Sequence, residues 1–60
     1  MTETIKVIIP AYNEAKSIGK VIKALPSFVN EIIVVDNCST DETAINAQKL
    51  EATVLKEIKS

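Results

Sequence analysis

Two short clusters carry most of the side chains that could do chemistry. The first is Pro10-Ala11-Tyr12-Asn13-Glu14. The second is Asp36-Asn37-Cys38-Ser39-Thr40-Asp41, which follows the apolar run at residues 32–35 without a spacer. The second cluster has three readings: a strand-to-helix turn with a capping box, a reactive cysteine, or the rim of a ligand site. The cysteine reading is the poorest, because the chain has no histidine to activate Cys38. Cys38 reads instead as a small buried side chain or a turn residue. For the rim, the chemistry is that of a nucleoside. A carboxylate such as Asp36 is a strong acceptor for the imide N–H of uracil or guanine. The neighbouring Asn37 amide can donate and accept. Glu14 could accept from ribose hydroxyls, and Tyr12 could present its ring to a base. The helix starts after each cluster would favour phosphates.

These clusters need elements to place them. Residues 5–9 read IKVII, almost wholly apolar, and Pro10 ends the run. Such a run fits a strand buried on both faces, as in a parallel sheet. Asn13 is a suitable helix N-cap. Ile18, Val21, Ile22 and Leu25 then follow at the spacing of one helical face, with Lys16, Lys20 and Lys23 elsewhere around the helix and Pro26 stopping it. Residues 27–30 form a short connection, with Phe28 and Val29 expected to tuck under the sheet. Residues 32–35 form the second strand. Ser39 to Glu42 matches the S/T-x-x-E capping box, so a helix is expected over residues 41–50 with Ala44, Ile45, Ala47 and Leu50 inward. Residues 53–55 make a third short strand before a polar tail, residues 56–60.

The order is therefore β-α-β-α-β, an α/β, Rossmann-like half-sheet in which each helical connection implies parallel, right-handed pairing. Ligands in such sheets bind beyond the carboxyl ends of the strands. Both clusters fall on that edge. Taken singly, Asp36, Asn37 and Ser39 favour an ordinary turn; taken with PAYNE on the same edge, they favour a site. Two helices on one side would leave the other apolar sheet face bare, which calls for more chain or for a partner.

Composition narrows the classes further. Sixty residues make at most one small domain, and 1–60 reads as a single partial domain. The one cysteine excludes an internal disulfide, and the lack of histidine disfavours zinc. A net charge of −1 with interspersed lysines, and only Tyr12 and Phe28 as aromatics, argues against nucleic acid as a partner. The apolar runs are too short to span a membrane, the first residues lack a signal pattern, and a cytoplasmic setting is expected. The single glycine, Gly19, lies inside a helix, which rules out a G-x-G-x-x-G dinucleotide motif and a P-loop.

Taken together, VIIPAYNE followed by EIIVVDNCSTDET resembles the start of a family 2 glycosyltransferase of the GT-A fold, with its P-x-Y-N-E and V-D-D/N-x-S-x-D-x-T patterns in order. The resemblance implies that Pro10 and Tyr12, with Ala11 between them, line the nucleobase and ribose. It implies that Glu14 binds the ribose or base edge, and that Asp36 and Asn37 replace the paired acids that read the base. Asp41 and Thr43 match later motif positions and read as helix-start residues. The ligand implied is a nucleotide diphosphate sugar, UDP- or GDP-linked, with the sugar passing to an acceptor. A further likeness, in LPSFVNEIIVVDNCSTDET, is to members acting on polyprenyl phosphates, which would place a longer parent at the cytoplasmic membrane face. Two positions depart from the family: Cys38 stands where a small residue, often glycine, is usual, and Glu51 where a glycine often precedes the third strand.

The same resemblance implies features not found in residues 1–60. These are a D-x-D-like motif holding a divalent cation, Mg or Mn, and a carboxylate base for the acceptor. None of these sixty residues is read as catalytic or metal-ligating, and the chain alone is expected to be inactive in transfer. The alternative is a small non-catalytic module that binds a nucleotide or only packs, self-associating as a homo-oligomer to bury its open sheet face.

Overall fold

The computed structural model describes residues 3–57. Its elements run β1 (Lys6–Ala11), α1 (Ile18–Lys23), β2 (Glu31–Asn37), α2 (Thr43–Lys49) and β3 (Thr53–Glu57). The sheet order is β1-β2-β3, and both pairings are parallel. The expected β-α-β-α-β half-sheet is the fold observed.

Alternation along the strands sorts the residues onto two faces. Ile9 and Ala11 of β1, Ile32 and Val34 of β2 and Val54 of β3 turn toward the helices. There they meet Ile18 and Ile22 of α1, Ala47 of α2 and Ala52 in one cluster around fully buried Val34. The small residues at 47 and 52 let α2 lie close to the sheet. Gly19 lies between the helices, where an added Cβ would stand 3.6 Å from Leu50 Cδ1, an ordinary contact. The opposite face carries Ile8, Pro10, Ile33, Val35 and Leu55 with no layer above it, and Ile8 is 65% exposed. Lys6 and Glu31, paired in register at one end of that face, lie 3.4 Å apart; an exposed pair of this kind adds little stability.

Several boundaries and burial expectations are corrected. Pro10 does not end β1, which continues to Ala11. As an edge strand, β1 tolerates a residue lacking an N–H where that N–H would face away from its neighbour. Lys56 and Glu57 belong to β3 and pair with Asp36 and Asn37, so the third strand is longer than its apolar core suggests; residues 58–60 of the expected tail lie outside the described residues. Phe28 does not tuck under the sheet but is 64% exposed, and Val21 and Ile45 are also largely exposed. Each is apolar in a chain whose helices cover one sheet face only. Lys16, Lys20 and Lys23 are exposed, as their spacing around α1 implied. Among the described residues, no helix is long and apolar enough to cross a membrane.

Candidate functional site

The register places Ala11 beside Asp36, so the loops leaving β1 and β2 emerge side by side from the same edge of the sheet. Between β1 and α1 the backbone has no helix or sheet to satisfy it. Several of its polar groups are taken up instead by the loop leaving β2 and by the first turn of α2. The amide of Asn13 donates to Ser39 Oγ at 2.8 Å. The amide of Glu14 donates to Thr43 Oγ1 at 2.8 Å. The amide of Ala15 donates to Asp41 Oδ2 at 3.2 Å. In return, Thr40 N donates to Asn13 Oδ1 at 2.8 Å and Asn46 Nδ2 donates to the carbonyl of Ala15 at 3.0 Å. Three consecutive amides thus end on three side chains supplied from across the gap.

Asp41 is the hinge of this lattice. Its Oδ1 accepts from Thr43 N at 3.0 Å and from the Thr43 hydroxyl. The Thr43 hydroxyl bond, then the backbone bonds from Thr43 and Ala15, hold the Asp41 carboxyl below the usual aspartate range, against a smaller opposing desolvation. A carboxyl lowered on folding lends stability above its ordinary pKa, and this is lost as pH falls through the folded value.

The structure corrects the capping-box expectation. Ser39 Oγ serves Asn13 rather than Glu42, α2 opens at Thr43 with no side-chain cap bond from its N-cap Glu42, and Asp41 binds the Thr43 amide instead. Asn13 is not an N-cap either. Helix α1 opens at Ile18 after Ser17, and Asn13 sits at φ 51°, a left-handed conformation that asparagine tolerates. Cys38 is the turn residue of the two alternatives given, at φ 59° and exposed, with its amide on Asp36 O at 3.1 Å and its Sγ 2.9 Å from Glu57 O. Glu51 adopts φ 68° at the end of α2.

The expected site residues divide into three places. Pro10, Ala11 and Glu14 line a cleft of about 170 Å³ with Ile9, Ser17 and Val21. Ligand pockets typically run to about 300–1,000 Å³, so this cleft is a small open recess rather than a full ligand pocket. Glu14 Oε1 accepts from Ser17 Oγ at 2.9 Å, which fixes the carboxylate at the cleft. Tyr12 follows Ala11 in the chain and does not line the cleft; it is 57% exposed. Asp36 and Asn37 do not face the same way. Asp36 is 3% exposed on the helix side, its Oδ1 accepting from Ser39 N at 3.2 Å, whereas Asn37 is exposed on the other side. Reading Asn13, Ser39, Thr40, Asp41 and Thr43 as caps or helix starts missed their joint role, and Asn46 was not singled out at all. The signal for it was the density of Asn, Ser, Thr and Asp in both loops, the residue types that bond backbone groups outside regular structure. Among the described residues, no group of three or more Cys, Asp or Glu could hold a metal ion.

Residues 6–59 match the family described as Glycosyl transferase family 2. Glucosyl-3-phosphoglycerate synthase of Mycolicibacterium smegmatis is 41% identical over 56 residues, which take in 87% of this chain and 18% of that protein. Protein RfbJ of Shigella flexneri is 50% identical over 52 residues, 83% of this chain and 40% of its own length. Among solved structures, glucosyl-3-phosphoglycerate synthase from Mycobacterium tuberculosis in complex with uridine-diphosphate superposes with a TM-score of 0.76 at 40% identity, covering 88% of this chain and 21% of that one. The same synthase with Mn2+, UDP-Glc and glycerol 3-phosphate gives a TM-score of 0.75. The chain therefore spans about a fifth of the length of these synthases. The matched segment carries the β-α-β-α-β start of a GT-A fold, as the sequence implied.

Proposed function

Because the chain belongs to Glycosyl transferase family 2, we propose that residues 1–60 form the nucleoside-binding portion of a glycosyltransferase that uses a nucleotide diphosphate sugar. The observation that carries this reading is the lacing of the two loops at the carboxyl edge of neighbouring parallel strands, the place where open α/β sheets bind ligands. Pro10, Ala11 and Glu14 form the wall of the subsite, and Tyr12, exposed just after Ala11, supplies a ring for the base. Asp36 stiffens the turn beneath the base through its bond to Ser39 N, while Asn37 is the exposed amide of the pair.

The donor we favour is UDP-linked. The support is the 40% identity to a synthase whose structures hold uridine-diphosphate and UDP-Glc. That relative's name is glucosyl-3-phosphoglycerate synthase, and no relative named above carries a polyprenyl phosphate in its name. The relative also binds Mn2+ or Mg2+. The described residues do not fit such a centre, so no step is assigned to a cation. The chain's own part is to hold and orient the nucleoside. Without an acceptor base on its described edge, it is expected to transfer no sugar.

The test is an amide NMR titration of the chain with UDP and then GDP, with and without Mn2+. UDP should move the signals of Tyr12, Glu14, Asp36 and Asn37, and GDP should move them less. Dispersed signals indifferent to both nucleotides would sink the reading. A second reading, a self-associating packing module, has the uncovered face at Ile8, Ile33 and Leu55 in its favour.

A further inference from the structure

We infer that Thr43 and Asp41, at the start of α2, are positioning residues for the nucleotide subsite: they set the path of residues 14–15, and so the place of the Glu14 carboxylate, without touching the ligand. The inference rests on the nucleoside-subsite reading and goes beyond it, because these two residues were expected only to start a helix.

The geometry argues for a relay. Glu14 N donates to Thr43 Oγ1, and the Thr43 hydroxyl spends its own proton on Asp41 Oδ1. A hydroxyl has one proton to give and can accept as well. Donation to Asp41 therefore orients the Thr43 oxygen lone pairs toward the Glu14 amide. The other Asp41 oxygen, Oδ2, accepts from Ala15 N. One Asp-x-Thr unit thus fixes two successive amides of the facing loop, and the first belongs to the residue whose side chain lines the cleft. Thr43 is fully buried beneath both loops, so its place is set by packing before any ligand arrives. Glu14 is exposed, and its carboxylate accepts from Ser17 on its own loop. Ser17 holds the carboxylate end of Glu14, and the backbone held by Thr43 sets where that side chain leaves the loop.

A purely structural Thr43 would matter for its shape; a positioning Thr43 matters for its hydroxyl. Two substitutions separate these. Thr43→Val keeps the volume and removes the hydroxyl. Thr43→Ser keeps the hydroxyl and loses the buried methyl. The experiment compares both with the unaltered chain by amide hydrogen exchange without ligand, then by UDP titration. In Thr43→Val, protection at Glu14 should fall while Val34 in the sheet centre keeps its own, and the UDP dissociation constant should rise about tenfold, as for one lost hydrogen bond. Thr43→Ser should retain Glu14 protection and bind UDP as the unaltered chain does. Glu14 protected as before in Thr43→Val, or Thr43→Ser losing as much as Thr43→Val, overturns the inference. The exchange arm is read without nucleotide, so it decides the positioning role even where no variant, nor the unaltered chain, binds UDP; that second result would sink the subsite reading alone.

Discussion

Three non-glycine residues, Asn13, Cys38 and Glu51, hold left-handed backbone, and each closes a turn where the chain leaves or enters an element. For an L-residue other than glycine or asparagine this conformation costs about 1–2 kcal/mol. Glu51 is the plainest case. The amide of Glu51 bonds Gln48 O at 3.0 Å and the amide of Ala52 bonds Ala47 O at 3.2 Å, the paired bonds of a Schellman motif, with Ala52 and Ala47 meeting in the core. The motif wants glycine where Glu51 stands. Replacing Glu51 with Gly should stabilise the chain by about 1 kcal/mol, which for a domain near this size raises Tm by roughly 4–8 °C. Thermal unfolding followed by circular dichroism checks this, and an unchanged or lower Tm would mean that the glutamate side chain makes good its strained backbone. This strain was legible in the sequence, because a glutamate at a helix end followed by a strand departs from a known local rule. The loop lattice was not. Ser39 and Asn13 each satisfied a local rule for capping, yet their partners lie 26 and 27 residues away, and no rule confined to neighbouring residues reaches that far.

At the scale of elements, apolar runs and helical spacing located all three strands and both helices, since a strand buried in a parallel sheet can hardly avoid such a run. What spacing could not tell was which apolar residues would find a cover. Ile18 and Ile22 did; Val21, one position from Ile22, did not. The face assignment of Asp36 and Asn37 followed from the two-residue period of a strand, which sets neighbours on opposite sides, and it splits what a motif reading would treat as a pair. Helix α1 is only six residues long and carries Gly19 in its interior. Glycine there costs about 0.8–1.0 kcal/mol relative to alanine. The space above it is open enough, since a Cβ would rest 3.6 Å from Leu50 Cδ1, an ordinary contact. Gly19→Ala should therefore stabilise the chain by about 0.5–1 kcal/mol, read as a higher urea midpoint at unchanged slope. A lower midpoint would show that α1 and α2 are packed too tightly to admit a methyl group.

The described residues form one helix layer on one sheet layer. A protein of 6.5 kDa ordinarily exposes about 3,800 Å². This chain exposes 4619 Å², an excess of roughly 800 Å², which is about what one partner contributes to a standard protein interface. Ile8, Pro10, Ile33, Val35 and Leu55 form one apolar block on the uncovered face, and the register sets Ile8 beside Ile33 and Val35 between Pro10 and Leu55. The ion pair at the end of that face, Lys6 with Glu31, is internally neutral, so it does not repel a copy of itself. A second copy of the chain packed face to face would answer the apolar chemistry of the block, as two sheets stack in a sandwich. Sedimentation equilibrium at tens of micromolar should accordingly give a mass near twice that of the chain. Ile8→Lys should return it to the monomer, because Ile8 is largely exposed on an edge strand and its replacement disturbs little within one copy. A wild-type monomer with dispersed amide signals over the same range would mean that the uncovered face is tolerated in water. A dimer untouched by Ile8→Lys would place the contact elsewhere, and either result removes the sheet face as the joining surface.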